Sequence, residues 1–331
     1  MPTAKARETK TNNLGSLHNK DKEKIDMCRR FPHNYKSADP LNPTPPPDTP
    51  EEFINMIRKH HKKNRKERLE HDMEQKVCAN SCDKAIAARG TLGKPGYRER
   101  VPLRLTSHHA LRLCDEIKRS TEVGWDGFRA EQRKAYVALQ AVIKDTSDHA
   151  LLKRLGKDDA NEVSEDEMMS LIKIFSTIFF PTKWSDAKME LDFKWEDWRD
   201  RPEIIGLHRS RKTGTPRICM SAFNYDEKVP SYGDLIGLAM DRLATILYEL
   251  VHAYLDHYAC RCVENQESFE EDVGQLKRHG WAWQRIASLV ERAAPDIIGL
   301  PLKLTRFEGI RCGWGALTYW PTQKEANDWQ L

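Results

Sequence analysis

The stretch Tyr248-Glu249-Leu250-Val251-His252 holds the residues whose types and spacing most clearly suggest chemistry. It follows the pattern H-E-x-x-H at its glutamate and at its second histidine. On a helix, that pattern places two imidazoles on one face, where they can share a zinc ion, and the glutamate acts as general base on the metal-bound water. Here a tyrosine stands where the first histidine would be, so function depends on what Tyr248 does to a metal site.

The tyrosine weakens the expected metal site. A neutral imidazole offers zinc a lone pair at pH 7, whereas a phenol must first lose a proton with a reference pKa of about 10. The usual protein ligands of zinc are cysteine, histidine and carboxylates. Two histidines with a weak or absent third ligand therefore predict loose zinc binding and a poorly oriented water for Glu249.

The motif needs a long helix and a second element that returns to it. Apolar residues recur at helical spacing through residues 234–260, which contain no proline, so the motif is expected on one helix. A His279-Gly280 step then opens a second amphipathic helical segment.

Segments upstream of the motif are predicted to form a helix and two strands. Ser164 and Glu167 have capping-box spacing, and they predict a helix that ends before Pro181. Residues 203–207 and 217–222 are predicted as strands joined by a loop that contains glycine.

With these elements, the chain resembles the SprT-like (Spartan-type) zinc metallopeptidases over roughly residues 165–295. Members of that family carry H-E-x-x-H on the active-site helix. A third histidine in an H-G-x-x-(F/W) motif opens the next helix, as in His279-Gly280-Trp281-Ala282-Trp283 here. The resemblance implies an α+β fold, a small zincin-like domain with a helix, a β-hairpin sheet, the active-site helix and a second helix. It also implies Glu249 as general base and His252 and His279 as the second and third zinc ligands, with Tyr248 as the departure.

The motif and its tyrosine lead to one functional hypothesis and two alternatives. The first is a pseudopeptidase that keeps the metallopeptidase fold without efficient zinc-dependent hydrolysis and holds a protein or peptide without cleaving it. The second is an active zinc-dependent endopeptidase with a substitute ligand. His208 is a candidate for that ligand, whereas His257 lies about 140° around an ideal helix from His252 and is a poor one. The third is a nucleic-acid-associated scaffold.

Cysteines near the motif allow a separate metal site. Cys260 and Cys262 follow the predicted helix, an arrangement similar to fungal SprT-like proteins, and with Cys312 and one further ligand they could form a separate zinc site. The alternative is that these are buried thiols that behave as small hydrophobic side chains.

Composition predicts an intracellular protein, nuclear or cytoplasmic, that does not enter a membrane. No apolar run approaches the roughly 20 residues needed to cross a bilayer, and the N-terminus lacks a signal-peptide pattern. Without such a signal, the 8 cysteines are expected to be reduced.

The N-terminal segment differs in charge from the remainder of the chain. The first 70 residues carry 16 Lys or Arg against 10 Asp or Glu, a net charge of +6, whereas the remaining residues carry −2. Thr49 and Glu52 predict the start of a helix that carries the basic run from Arg58 to Lys66. This run predicts either contact with nucleic acid or a nuclear-import signal, and the alternative is a solvated helical face.

The chain is accordingly divided into five predicted segments. They are a disordered basic tail (1–50), a basic helix and linker (51–104), a helical region (105–160), the SprT-like domain (161–299) and an irregular C-terminal extension (300–331).

Overall fold

A computed structural model describes the greater part of the chain from residue 45 onward and two residues before it. The described residues are 28–29, 45–63, 103, 105–106, 108–122, 126–180, 189–202, 204–210, 215–224, 235–261, 269, 273–274, 278–314, 320–321, 323–329 and 331.

Helices and one small sheet together make an α+β fold, which confirms the expected fold class at this level. The helices are α1 (Pro50–Lys63), α2 (Ala110–Thr121), α3 (Ala130–Lys144), α4 (Leu151–Leu155), α5 (Glu165–Phe179), α6 (Leu235–Tyr258), α7 (Trp281–Ile298), α8 (Arg306–Gly313) and α9 (Gln323–Trp329). The strands are β1 (Cys28–Arg29), β2 (Asp192–Glu196), β3 (Ile204–Arg209) and β4 (Arg217–Ser221).

The sheet has the strand order β1-β3-β4-β2. Strands β3 and β4 form the predicted antiparallel hairpin, in which His208 lies opposite Ile218. Strand β2 pairs parallel to β4, and it was not predicted although Phe193 and Trp195 alternate with charged residues. Strand β1 pairs antiparallel to β3, so two residues of the segment expected to be disordered join the sheet.

Helix α6 is the central element of the core and carries the motif. It packs against β3 and β4 and against helices α2, α4, α5 and α7. Gly206 on β3 permits the close approach, because a Cβ atom there would lie 2.5 Å from Thr245 Cγ2 and 3.0 Å from Glu249 Oε1. Any larger residue at this position would therefore push the motif away from the sheet.

Helix α5 begins as its sequence predicts. Ser164 Oγ accepts a hydrogen bond from the Glu167 backbone N–H at 3.2 Å, and Glu167 Oε2 accepts one from the Ser164 N–H at 2.9 Å. This reciprocal capping box satisfies two amide groups that have no partner within the helix.

Two tryptophans that precede the hairpin in the sequence pack in the protein. The Trp195 indole donates a hydrogen bond to the Val163 carbonyl at 2.8 Å, and Trp198 is buried. Trp184 lies outside the described residues.

The two ends of the described chain pack together in a terminal cluster. Its buried members, from α1, α7, α8, α9 and the residue after α8, are Phe53, Ile57, Trp281, Ile310, Trp314, Ala326 and Trp329. The C-terminal extension is therefore not irregular as expected, since it contains helices α8 and α9.

The apolar side of α1 faces this terminal cluster, while Arg58, Lys59 and Lys62 are exposed. Thr49 caps the helix by accepting a hydrogen bond from the Glu52 N–H at 3.1 Å. The burial pattern fits both a solvated helical face and a phosphate-binding one, so contact with nucleic acid stays a prediction.

Several sequence-based expectations fall outside the described residues. They concern most of residues 1–50, the end of the basic run, most of the linker at 86–104, and Cys262. Among the helices that the structure does describe, none has the length and apolar character to cross a membrane.

Candidate functional site

Three of the four residues singled out by the motif meet at one place in the core, and the fourth, Glu249, follows Tyr248 on the same helix. Helix α6 supplies Tyr248, Glu249 and His252, and the residue before the N-cap of α7 supplies His279. The His252 and His279 ring centroids lie 5.0 Å apart, and the Tyr248 ring lies 5.2 Å from the first and 5.4 Å from the second. The structure thus brings together residues that are about 30 positions apart in the sequence.

Tyr248 is bonded to the histidine that would be the third ligand. Its hydroxyl oxygen forms a hydrogen bond with His279 Nε2. A neutral imidazole has one nitrogen lone pair, which it gives either to a hydrogen-bond donor or to a metal. The tyrosine therefore contacts the same nitrogen that a zinc ion would need.

Trp283, in the first turn of α7, contacts all three of these rings. Its ring centroid lies 4.7 Å from that of Tyr248, 4.9 Å from that of His279 and 5.5 Å from that of His252. Edge-to-face and offset stacked pairs at these separations are favourable contacts. We call Tyr248, His252, His279 and Trp283 the aromatic cluster.

The site is closed to solvent. Glu249 is 0% exposed, and Tyr248, His252 and His279 are 3%, 4% and 2% exposed. The His279 ring is covered by α8, where a Cβ atom on Gly309 would lie 3.2 Å from His279 Cγ. A neighbouring cavity bounded by Thr245 has a volume of about 30 Å³, enough for only a few water molecules.

The residues of the cluster do not fit a three-ligand zinc site. In the part of the chain that the structure describes, no group of three or more His, Cys, Asp or Glu side chains is arranged to hold a metal ion. His252 Nε2 is buried and has no hydrogen-bond partner among the described residues, as a ligand nitrogen would. His279 Nε2, however, is hydrogen-bonded to the Tyr248 hydroxyl, so a zinc ion could bind this nitrogen only by breaking that contact.

Neither substitute ligand considered from the sequence completes the site. His208 lies on β3, is 5% exposed, and is close enough for its charge to influence His252. His257 is buried on α6. Among the described residues, neither His208 nor His257 belongs to a group of side chains arranged to hold a metal ion.

The cysteines also form no metal-holding group among the described residues. Cys260 and Cys312 are buried and have no disulfide bond, and Cys262 lies outside the described residues. A separate zinc site that includes Cys262 therefore stays a prediction.

Burial keeps two histidines near the site, His252 and His208, neutral at neutral pH. It lowers the pKa of His252 well below the ordinary value, and nearby His279, Arg278 and His208 lower it further. Burial also lowers the pKa of His208 to about 4, although Asp256 acts in the opposite direction.

We therefore expect the protein to lose stability in mild acid. Because the pKa of His208 in the folded state is about 4 and that of an unfolded histidine is about 6.5, the unfolded chain binds its proton first as the pH falls. The contribution of His208 is full above pH ~6.5, and it is lost towards pH ~4, by at most roughly 3 kcal/mol. Urea unfolding at pH 7.5 and pH 4.5 measures this loss.

A matched pair of variants isolates the buried histidine in that experiment. His208→Gln should flatten the dependence of stability on pH, whereas His149→Gln, which replaces an exposed histidine, should not. Equal dependence in both variants would contradict the assignment to His208.

Sequence reasoning missed one residue next to the site, Asp256. It lies one helical turn after His252 on α6, and its carboxylate forms ion pairs with Arg261 and Arg278. The i,i+4 spacing from His252 was a signal that could have indicated it.

Comparison with known proteins gives no assignment. No family model matches the sequence, and no curated protein or solved structure matches it either.

Proposed function

We propose that this protein is a SprT-like pseudopeptidase, which keeps the zincin-like arrangement of helices and hairpin without efficient zinc-dependent hydrolysis. The observation that supports this most is the hydrogen bond between the Tyr248 hydroxyl and His279 Nε2. The rings of Tyr248, His252 and His279 lie together, but the residue at the proposed first ligand position is hydrogen-bonded to the residue at the third.

The chemistry of hydrolysis depends on groups that this arrangement does not supply. Zinc activates a water and polarises the scissile carbonyl only when it is held firmly and keeps one open position. With His279 engaged by Tyr248, firm binding by His252 alone is not expected. Glu249 could still accept a proton, but no activated water would be held beside it.

The site also lacks access for a polypeptide. Tyr248, Glu249, His252 and His279 are all nearly or fully buried, and α8 lies against His279. An extended substrate would have to displace α8 or separate α6 from the sheet before reaching Glu249. We therefore propose that the domain acts by binding or scaffolding a protein partner, with the aromatic cluster as part of its core.

An active zinc endopeptidase remains the competing proposal, and hydrolysis distinguishes the two. The purified protein is incubated with zinc and a fluorescently labelled unfolded protein, in parallel with its Glu249→Gln variant. We expect both to release label at the same background rate. Cleavage by the unmodified protein that Glu249→Gln abolishes would overturn the proposed function.

A further inference from the structure

A buried carboxylate holds the chain on both sides of the excursion between α6 and α7. Asp256 has a side chain that is 10% exposed, and it forms ion pairs with Arg261, shortly after α6, and with Arg278, directly before His279. The Arg278 pair has an N···O distance of 3.0 Å. A single residue of α6 thereby fixes where the chain leaves the helix and where it returns.

The ion pair between Asp256 and Arg278 holds a residue whose backbone has an unusual conformation. Arg278 has a φ of 74°, in the left-handed region that side chains with a Cβ atom seldom adopt. Such a conformation persists when surrounding contacts hold it in place. The contact with Asp256 holds the Arg278 side chain in place. The strained backbone of Arg278 then turns His279 towards α6.

From this geometry we infer that Asp256 is a positioning residue, which acts through Arg278 to place the His279 imidazole against Tyr248. Three further contacts hold His279 once it is in place. Its Nε2 meets Tyr248, its carbonyl accepts a hydrogen bond from Gln284 Nε2 at 3.4 Å, and its ring lies against Gly309. These three contacts are made by His279 itself. Asp256 instead contacts Arg278, and it thereby determines the direction in which the chain reaches His279.

The charges around Asp256 favour its ionised form. Burial acts to raise the pKa of Asp256, but Arg261, Arg278 and His208 oppose it and bring the pKa below the ordinary value. The carboxylate is therefore negatively charged at neutral pH, and the pairing with both arginines is retained.

The chain offers a matched control. Asp115 on α2 and Arg285 on α7 form an ion pair with the same N···O distance of 3.0 Å. Its side chains are 45% and 31% exposed, and neither residue belongs to the aromatic cluster. Asp115→Asn removes a pair that has the same N···O distance but is more exposed, and exposed pairs of this kind contribute little.

The test uses ¹⁵N nuclear magnetic resonance of the histidine rings in the otherwise unmodified protein, with Tyr248→Phe identifying the signal of His279 Nε2. We expect Asp256→Asn to shift this signal towards its position in Tyr248→Phe, and Asp256→Glu to stay closer to the unmodified protein. Asp115→Asn should leave it in place. The inference is overturned if Asp256→Asn leaves the His279 signal unchanged, or if all three substitutions shift it equally.

A second measurement addresses the zinc ligand position and in that respect rests on the proposed function. In the background of Tyr248→His, Asp256→Asn should weaken zinc binding by roughly tenfold or more, as expected for loss of a residue that orients a ligand. If Tyr248→His binds no zinc, the proposed function fails while the ring signal still decides the role of Asp256. If it binds zinc equally well with and without Asp256, the positioning role fails alone.

Discussion

Replacing Tyr248 with histidine should raise the affinity for zinc on the order of a hundredfold, about 3 kcal/mol. The substitution removes the hydroxyl from His279 Nε2 and adds an imidazole four residues before His252 on the same face of α6. Three histidines then surround one point, which is the number of protein ligands that a catalytic zinc site uses. Competition with a chromophoric chelator measures the affinity.

Two control variants separate the ligand from the loss of the hydroxyl. Tyr248→Phe releases His279 Nε2 but adds no ligand, so it should bind zinc far more weakly than Tyr248→His. His252→Ala in the Tyr248→His background should abolish the gain. An affinity of Tyr248→His no higher than that of Tyr248→Phe would show that the cluster does not retain the geometry of a metal site.

Replacing Arg242 with methionine should destabilise the protein by about 3–5 kcal/mol. Arg242 lies on α6 and is 5% exposed. Its guanidinium donates hydrogen bonds to four carbonyls, those of Leu155 at 2.5 Å, Lys157 at 2.5 Å, Asp158 at 3.2 Å and Ala222 at 2.7 Å. Methionine fills similar space but leaves these acceptors without that donor, and chemical denaturation measures the resulting loss.

An exposed arginine provides the control for this effect. Arg199 is 75% exposed and pairs with Asp197, so Arg199→Met should change the free energy of unfolding by no more than about 0.5 kcal/mol. Similar small losses in both variants would mean that the carbonyls around Arg242 find water instead.

Local patterns predicted the elements that position the site. The apolar spacing over 234–260 corresponds to α6 (Leu235–Tyr258), and the capping box at Ser164 starts α5. These features depend on residues a few positions apart, which a sequence displays directly. The hairpin of β3 and β4 is of the same kind, since its strands adjoin in the chain.

The elements that were missed depend on contacts between distant parts of the chain. Strand β2 is held by parallel pairing with β4, about 25 residues later. Helix α8 is only 8 residues long, and its N-cap residue Thr305 makes no side-chain capping hydrogen bond, so its own sequence favours it weakly. Burial in the terminal cluster with Phe53 and Trp281 stabilises it instead.

The site shows the same division. The motif predicted that Tyr248, Glu249 and His252 share a helix and that His279 opens the next one. It did not predict the hydrogen bond between the Tyr248 phenol and His279. That bond depends on how contacts with Asp256 and Gly309 place the segment that carries His279, which lies outside α6. When a residue departs from a motif, the tertiary structure decides whether the ligand position is left vacant or is occupied by the new side chain.

Zinc titration of the unmodified, metal-free protein beside its His252→Ala variant tests the central claim most directly. If the hydrogen bond with Tyr248 keeps zinc from His279 Nε2, both proteins should bind zinc with the same low affinity, and neither should reach one zinc ion per chain at micromolar zinc. One tightly bound zinc ion in the unmodified protein that is lost in His252→Ala would contradict the claim and show that the metal site is intact.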